Sequence, residues 1–179
     1  MFDVGLVLVR APVGALLVGH GVQKLSRRLG GPVRTGEAFE AMGYRRGPAM
    51  AVLAGVTEIA AGVGLAAGAA TPLAAAGAVG VMTNAAATAH RHRGLWADNG
   101  GFEYPLVVAT VASGIAIHGP GAVSVDAASG LERSGLGWGG ASMSMGLGGA
   151  LALLAAAYRP SDTRDPDADQ TVGNGVAHG

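Results

Sequence analysis

The stretch LVLVRAPVGALLVGHGVQKL, residues 6 to 25, is apolar over a length that crosses a bilayer, yet Arg10 lies inside it and His20 and Lys24 lie near its end. A helix needs ~20 mostly apolar residues to cross ~30 Å of hydrocarbon, and an arginine within such a span is costly unless it faces protein or water. That feature sets two requirements: apolar segments pack together, and Arg10 points into the packing. Five apolar segments are available, at Val4–Val22, Pro48–Gly68, Thr71–Ala89, Tyr104–Ile117 and Trp138–Tyr158. The fourth spans only if Gly101–Glu103 and His118 extend it. These Ala-, Leu-, Val- and Gly-rich runs lack the alternation of barrel strands, so helices satisfy the backbone in lipid. Charged residues are 13% of the chain, about half the share in soluble domains. The expected fold class is an all-α membrane protein, a helical bundle.

Orientation follows from the basic residues. Lys24, Arg27, Arg28, Arg34, Arg45 and Arg46 follow the first segment, Arg91 and Arg93 the third, and Arg159 and Arg164 the fifth. With five crossings all of these share one side, and the other receives Arg133 alone. That places the protein in the inner (cytoplasmic) membrane with the N-terminus outside and the C-terminus cytoplasmic. Four crossings would split the arginines less cleanly. The N-terminus lacks the basic region and cleavage site of a removable signal, so it is read as a retained first span.

The chain has no cysteine, which excludes disulfides, thiolate metal sites and a dithiol relay of its own. Net charge is zero, so nucleic acid is not an expected partner. No nucleophile paired with a base, Walker loop, dinucleotide-binding turn or haem-ligation pair is present, and the catalytic residues are unknown.

At 100° per residue, Arg10, Gly14, Leu17, Gly21 and Lys24 share one stripe of the first helix, with Pro12 weakening the local backbone ladder. Glu58 lies midway along the second segment between Ala54 and Gly62. Gly80, Asn84 and Thr88 share a face of the third, and Glu103, Thr110, Gly114 and His118 repeat the pattern in the fourth. The economical arrangement is an intramembrane polar site of Arg10, Glu58, Asn84 and Glu103, with Glu103 nearer one interface and Arg10 paired with Glu58. The pair has two readings: it fixes helix register, or it binds a ligand or proton. His20, Lys24, His90, Trp96 and Asp126 are interfacial. His90 and His92, two apart, point about 160° from each other on a helix, so no metal site is expected. Between the first two spans, TGEAFEAMGY suggests a short interfacial helix that presents Phe39 and Met42. Residues 159–179 read as a disordered cytoplasmic tail.

Taken in order, RAPVGALLVGHGVQKL, Phe39 then Gly43, EIAAGVGLAAGAATP, Met82 through His90, GGFEYP and GPGAVSVD resemble the DoxX family of small bacterial and archaeal membrane proteins over about residues 4 to 126. The resemblance implies a four-helix transmembrane DoxX core in residues 1–126, with an amphipathic connector at 25–47. An extracytoplasmic loop and an appended fifth helix follow at 127–158. It carries Arg10, His20, Lys24, Glu58, Glu103 and Asp126 over as the matching polar positions. It also implies a quinone-associated membrane subunit of a redox, sulfur-metabolism or oxidative-stress complex, with a membrane quinone as ligand and no covalent cofactor. Any enzyme activity belongs to the complex rather than to this chain alone. Expected partners are the lipid bilayer and soluble or membrane redox proteins, with a homo-oligomer left open. The alternatives are a non-catalytic scaffold that docks a soluble partner and a transporter-like binder of a small ligand or lipid.

Overall fold

The computed structural model describes residues 2–159, with side chains from Val4 onward. Seven α-helices occur among them: α1 (Phe2–Leu25), α2 (Gly31–Ala41), α3 (Gly47–Ala67), α4 (Thr71–Ala87), α5 (Glu103–His118), the single turn α6 (Val125–Ala128) and α7 (Leu136–Ala157). The described residues form no strand, and their one β-bridge joins Tyr44 to Tyr158. The segment beyond Arg159, where a disordered tail is expected, lies outside the described residues.

The helix boundaries follow local chemistry. Pro32, Pro48 and Pro72 sit in the first turns of α2, α3 and α4, where a missing N–H removes no intrahelical bond. Gly68, at φ 63°, ends α3 in the left-handed conformation. Only three residues separate α3 from α4, which folds the two into a tight hairpin. α1 runs through Pro12 as one helix. The connector helix begins at Gly31, earlier than TGEAFEAMGY suggests, because Pro32 and the left-handed Gly30 start it. It lies against the start of α3 so closely that a side chain on Gly36 would meet the backbone of Gly47 and Pro48.

Among the described residues, three helices are long and apolar enough to cross a membrane: Val4–Leu25, Gly47–Ala67 and Leu136–Ala157. α4 has 17 residues and α5 has 16, about 24–26 Å of helix at 1.5 Å per residue. Five crossings were expected, and three helices meet the requirement on length. Burial is inverted relative to a soluble protein. Leu8, Leu16, Val56, Val63, Leu106, Leu136 and Leu151 are exposed, whereas Ala61, Ala75, Ala78, Ala112 and Ala116 are buried. Exposed large side chains over a small-residue interior suit a lipid surround, where close backbone approach replaces hydrophobic burial as the packing force.

α4 is central and packs on α3, α5 and α7, while α1 and α2 pack on α3. The α1–α3 contact is the most extensive. A Cβ on Gly14 would strike the Gly62 carbonyl, and one on Gly21 the Gly55 carbonyl. Facing residue numbers sum to 76 in both pairs, so the two helices are antiparallel with their register fixed. One end of the molecule carries Lys24, α2 and Tyr158 and is called the basic end. The opposite end carries Arg10 and Asp126.

Candidate functional site

The expected Arg10–Glu58 pair does not form. The Lys24 ammonium donates to both Glu58 oxygens, at 2.9 and 2.8 Å, and this is the ion pair among the described residues. The α1–α3 register explains the exchange. Glu58 lies level with Val18, so Arg10 is eight residues and about 12 Å away along the axis, and Lys24 six residues and about 9 Å. Side chains lean toward the N-terminus of their own helix. On antiparallel helices Glu58 therefore leans toward the basic end and Lys24 leans back to meet it, while Arg10 leans away from both.

Arg10 instead reaches the opposite end, where Nη2 donates to the Val123 carbonyl at 2.6 Å. It is buried, and its Nε and Nη1 have no hydrogen-bond partner among the described residues. Gly68 makes room for it, since a Cβ there would collide with the guanidinium. Asp126 lies nearby and is buried too, although it was expected at the interface. Its carboxylate accepts from the Ala70 and Thr71 N–H groups at 2.7 and 2.9 Å and from the Thr71 hydroxyl at 2.8 Å. Burial alone would push its pKa up. The hydrogen bonds from Thr71 and Ala70, with the charge of Arg133, outweigh burial and hold the carboxyl below its ordinary value. Asp126 thus caps the N-terminus of α4 from 55 residues away in sequence. Its own N–H donates to the Gly68 carbonyl at 2.9 Å, which closes the loop over the α3–α4 turn.

A cavity of about 840 Å3 forms among α3, α4 and α7 and reaches α1, α2 and α5 at the basic end. Gly77 and Gly80 of α4 contribute to it, and its long walls are Leu53, Leu73, Val81, Met145 and Leu153. Polar groups gather toward one end: Lys24, Glu58, His20, Tyr104, Asn84, Tyr44, Thr88 and His90. Most of them are mutually satisfied. Tyr44 donates to Asn84 Oδ1 at 3.1 Å, Asn84 Nδ2 to the Gly80 carbonyl at 3.1 Å, and the Thr88 hydroxyl to the Asn84 carbonyl at 2.8 Å. The shared face of Gly80, Asn84 and Thr88 is therefore real. The Tyr104 hydroxyl is buried without a hydrogen-bond partner among the described residues, and its ring packs on His20 at 5.3 Å.

Phe39 and Met42 line the cavity, which gives the connector a wall to build. Tyr44 closes over the same end. Burial pushes its phenol up from the ordinary value, and the nearby Thr88 opposes that shift. Its ring packs on Phe39 and, edge to face, on Tyr158.

The expected polar site therefore divides. Glu58 and Asn84 line one cavity, with His20, Lys24 and His90 beside them, whereas Arg10 and Asp126 occupy the opposite end. Glu103 and Trp96 lie outside the cavity lining. The Glu103 carboxylate accepts from the Ala97 N–H at 2.9 Å, and Trp96 is exposed in the same loop. Sequence reasoning missed Tyr44, Tyr104 and Thr57 as lining residues. The only available signal was three polar side chains next to segments otherwise made of Ala, Val and Leu.

The family model described as DoxX matches residues 5–91, from the start of α1 to just past α4. The match is shorter than the resemblance over 4 to 126 and leaves Glu103 and Asp126 outside it. No curated protein and no solved structure matches the chain. The matched segment contains Arg10, His20, Lys24, Glu58, Asn84 and His90, and over it the chain carries a DoxX-family domain.

Proposed function

We propose that this protein is the quinone-binding membrane subunit of a redox complex in sulfur metabolism or the oxidative-stress response. The carrying observation is the cavity, about 840 Å3 with long apolar walls and its polar groups toward one end. That volume is within the range of sites for small organic ligands, and the polarity suits a polar ring with an apolar tail. The residues fit such a group. Tyr104 has a buried hydroxyl without an acceptor, and Lys24 keeps its ammonium partly accessible beside Glu58. Leu73 and Met145, farther from the basic end, would hold the tail. The Glu58 carboxylate, held by Lys24, is the atom pair at which a proton would rest.

A bound quinone would supply two-electron, two-proton chemistry. The chain has no cysteine, so electrons come from a partner protein in this reading. In this reading α1, α3, α4, α5 and α7 all cross the bilayer, α4 and α5 being the shortest, and the basic end faces the cytoplasm.

The test is titration of purified full-length protein in detergent with decylubiquinone and menadione, followed by quenching of intrinsic fluorescence. The wild type binds at least one of them. E58Q and the wall-filling L73W weaken binding several-fold, while R10K leaves it unchanged. Absence of binding by the wild type, or binding that both E58Q and L73W leave intact, overturns the reading.

A further inference from the structure

We infer that the basic end holds a site for an anionic phospholipid headgroup, built by Arg45, Arg91 and Arg159 around the last turn of α7. These residues come from three separate segments: backbone bonds join the segments of Arg45 and Arg159, and a side-chain bond ties Arg91 to them. The Arg45 N–H donates to the Ala157 carbonyl and the Arg159 N–H to the Gly43 carbonyl, both at 2.8 Å, on either side of the Tyr44–Tyr158 bridge. Arg91 Nη1 donates to the Tyr158 hydroxyl at 3.3 Å. All three arginines are exposed.

None of them forms an ion pair among the described residues, where Lys24–Glu58 is the pair present. Arg159 Nη1 is committed to the Ala155 and Tyr158 carbonyls at 3.2 and 2.9 Å, which caps α7 as a cation should. Among the described residues the Arg45 guanidinium makes no hydrogen bond, and the remaining side-chain N–H groups of Arg91 and Arg159 make none either. The three residues are anchored to one place, the last turn of α7 and the bridge that follows it, and phosphate oxygens match the fork geometry of a guanidinium.

The occupant is a lipid because of where the patch lies. It sits at the end of a 22-residue apolar helix long enough to span a bilayer. Leu147 and Leu151, exposed on that helix, offer a surface for acyl chains. Basic clusters immediately beside a membrane helix recruit anionic lipids, at about a fivefold gain in affinity per arginine.

The test is native mass spectrometry of the full chain in detergent, titrated with phosphatidylglycerol and with phosphatidylcholine of the same acyl chains. Phosphatidylglycerol is expected to bind at least about tenfold more tightly. R45Q/R91Q/R159Q should lose most of that preference, R45K/R91K/R159K should keep part of it, and R27Q/R28Q should leave it intact. If the triple variant does not fold, R45Q decides, since that side chain has no partner among the described residues to lose and should cost about fivefold. Equal binding of the two lipids overturns the inference. So does a preference that survives in R45Q/R91Q/R159Q, or one that R27Q/R28Q removes as fully, since that reports diffuse charge. Displacement of the lipid by an equal concentration of soluble glycerol phosphate also overturns it, because the site would then not be a lipid site.

Discussion

Removing Lys24 should damage this protein more than removing Glu58, although the two form one pair. The Glu58 side chain is 4% exposed and, among the described residues, both its oxygens accept from Lys24 alone, while the Lys24 side chain is 21% exposed. K24M keeps most of the side-chain volume but leaves a buried carboxylate with no donor, a loss of about 3–5 kcal/mol. E58Q keeps the shape and an amide oxygen for Lys24 to reach. Lys24 is also the second-last residue of α1, from which its ammonium can swing to the interface, so the loss is about 1–2 kcal/mol. For a chain of this length 1 kcal/mol moves Tm by about 2–4 °C. K24M should therefore melt roughly 10 °C below the wild type and E58Q roughly 4 °C below. The double variant K24M/E58Q should recover part of the K24M loss, since no charge is then stranded. The assay is thermal unfolding in one mild detergent at pH 7.5, followed by circular dichroism. E58Q melting at or below K24M, or a double variant no better than K24M, would refute the account of which charge depends on which.

The cap on α4 makes a pH prediction. Asp126 is held below its ordinary pKa, so its contribution is fully present above the unfolded value of about 3.9 and is lost as pH falls through the lower folded value. D126N should cost about 2 kcal/mol between pH 5 and 8, a gap that narrows below pH 4, and a gap that stays constant down to pH 2 sinks the assignment. The α1–α3 contact makes a steric one: Gly14→Leu drives a side chain into the Gly62 carbonyl, whereas Gly19→Leu meets nothing within 4 Å. The first should cost about 3 kcal/mol or prevent folding and the second under about 0.5 kcal/mol, read as Tm in the same detergent; equal effects would refute the close packing.

The helices were legible because lipid imposes a simple rule on the chain: apolar runs of sufficient length, broken by turn residues. Gly68 and Pro72 mark the α3–α4 turn in the sequence itself, and the expected second and third segments match α3 and α4 to within two residues at each end. The connector helix was placed a turn late because its amphipathic signal in Phe39 and Met42 is stronger than its true start at Pro32. The shortness of α5 was visible too, and its extension to Glu103 and His118 follows from the polar residues that bound it.

Side-chain pairing was not legible, because a helical wheel records the angle of a residue and not its height. Arg10 and Lys24 share one stripe of α1, and angle alone cannot choose which of them meets Glu58. Height enters only through Gly14–Gly62 and Gly21–Gly55, which set the register of α1 against α3. Direction enters through the lean of each side chain toward its own N-terminus. With both in hand the pairing is forced, and the two ends of the molecule take different characters. Asp126 escaped for a related reason: it acts on the start of α4 across 55 residues, through a loop that carries no periodicity. The bridge from Tyr44 to Tyr158 likewise joins segments more than a hundred residues apart. Both contacts are polar closures that engage backbone groups, to which hydrophobic pattern is blind. They determine what the cavity can be, since the Tyr44 closure covers its polar end and the Asp126 closure draws Arg10 away from it.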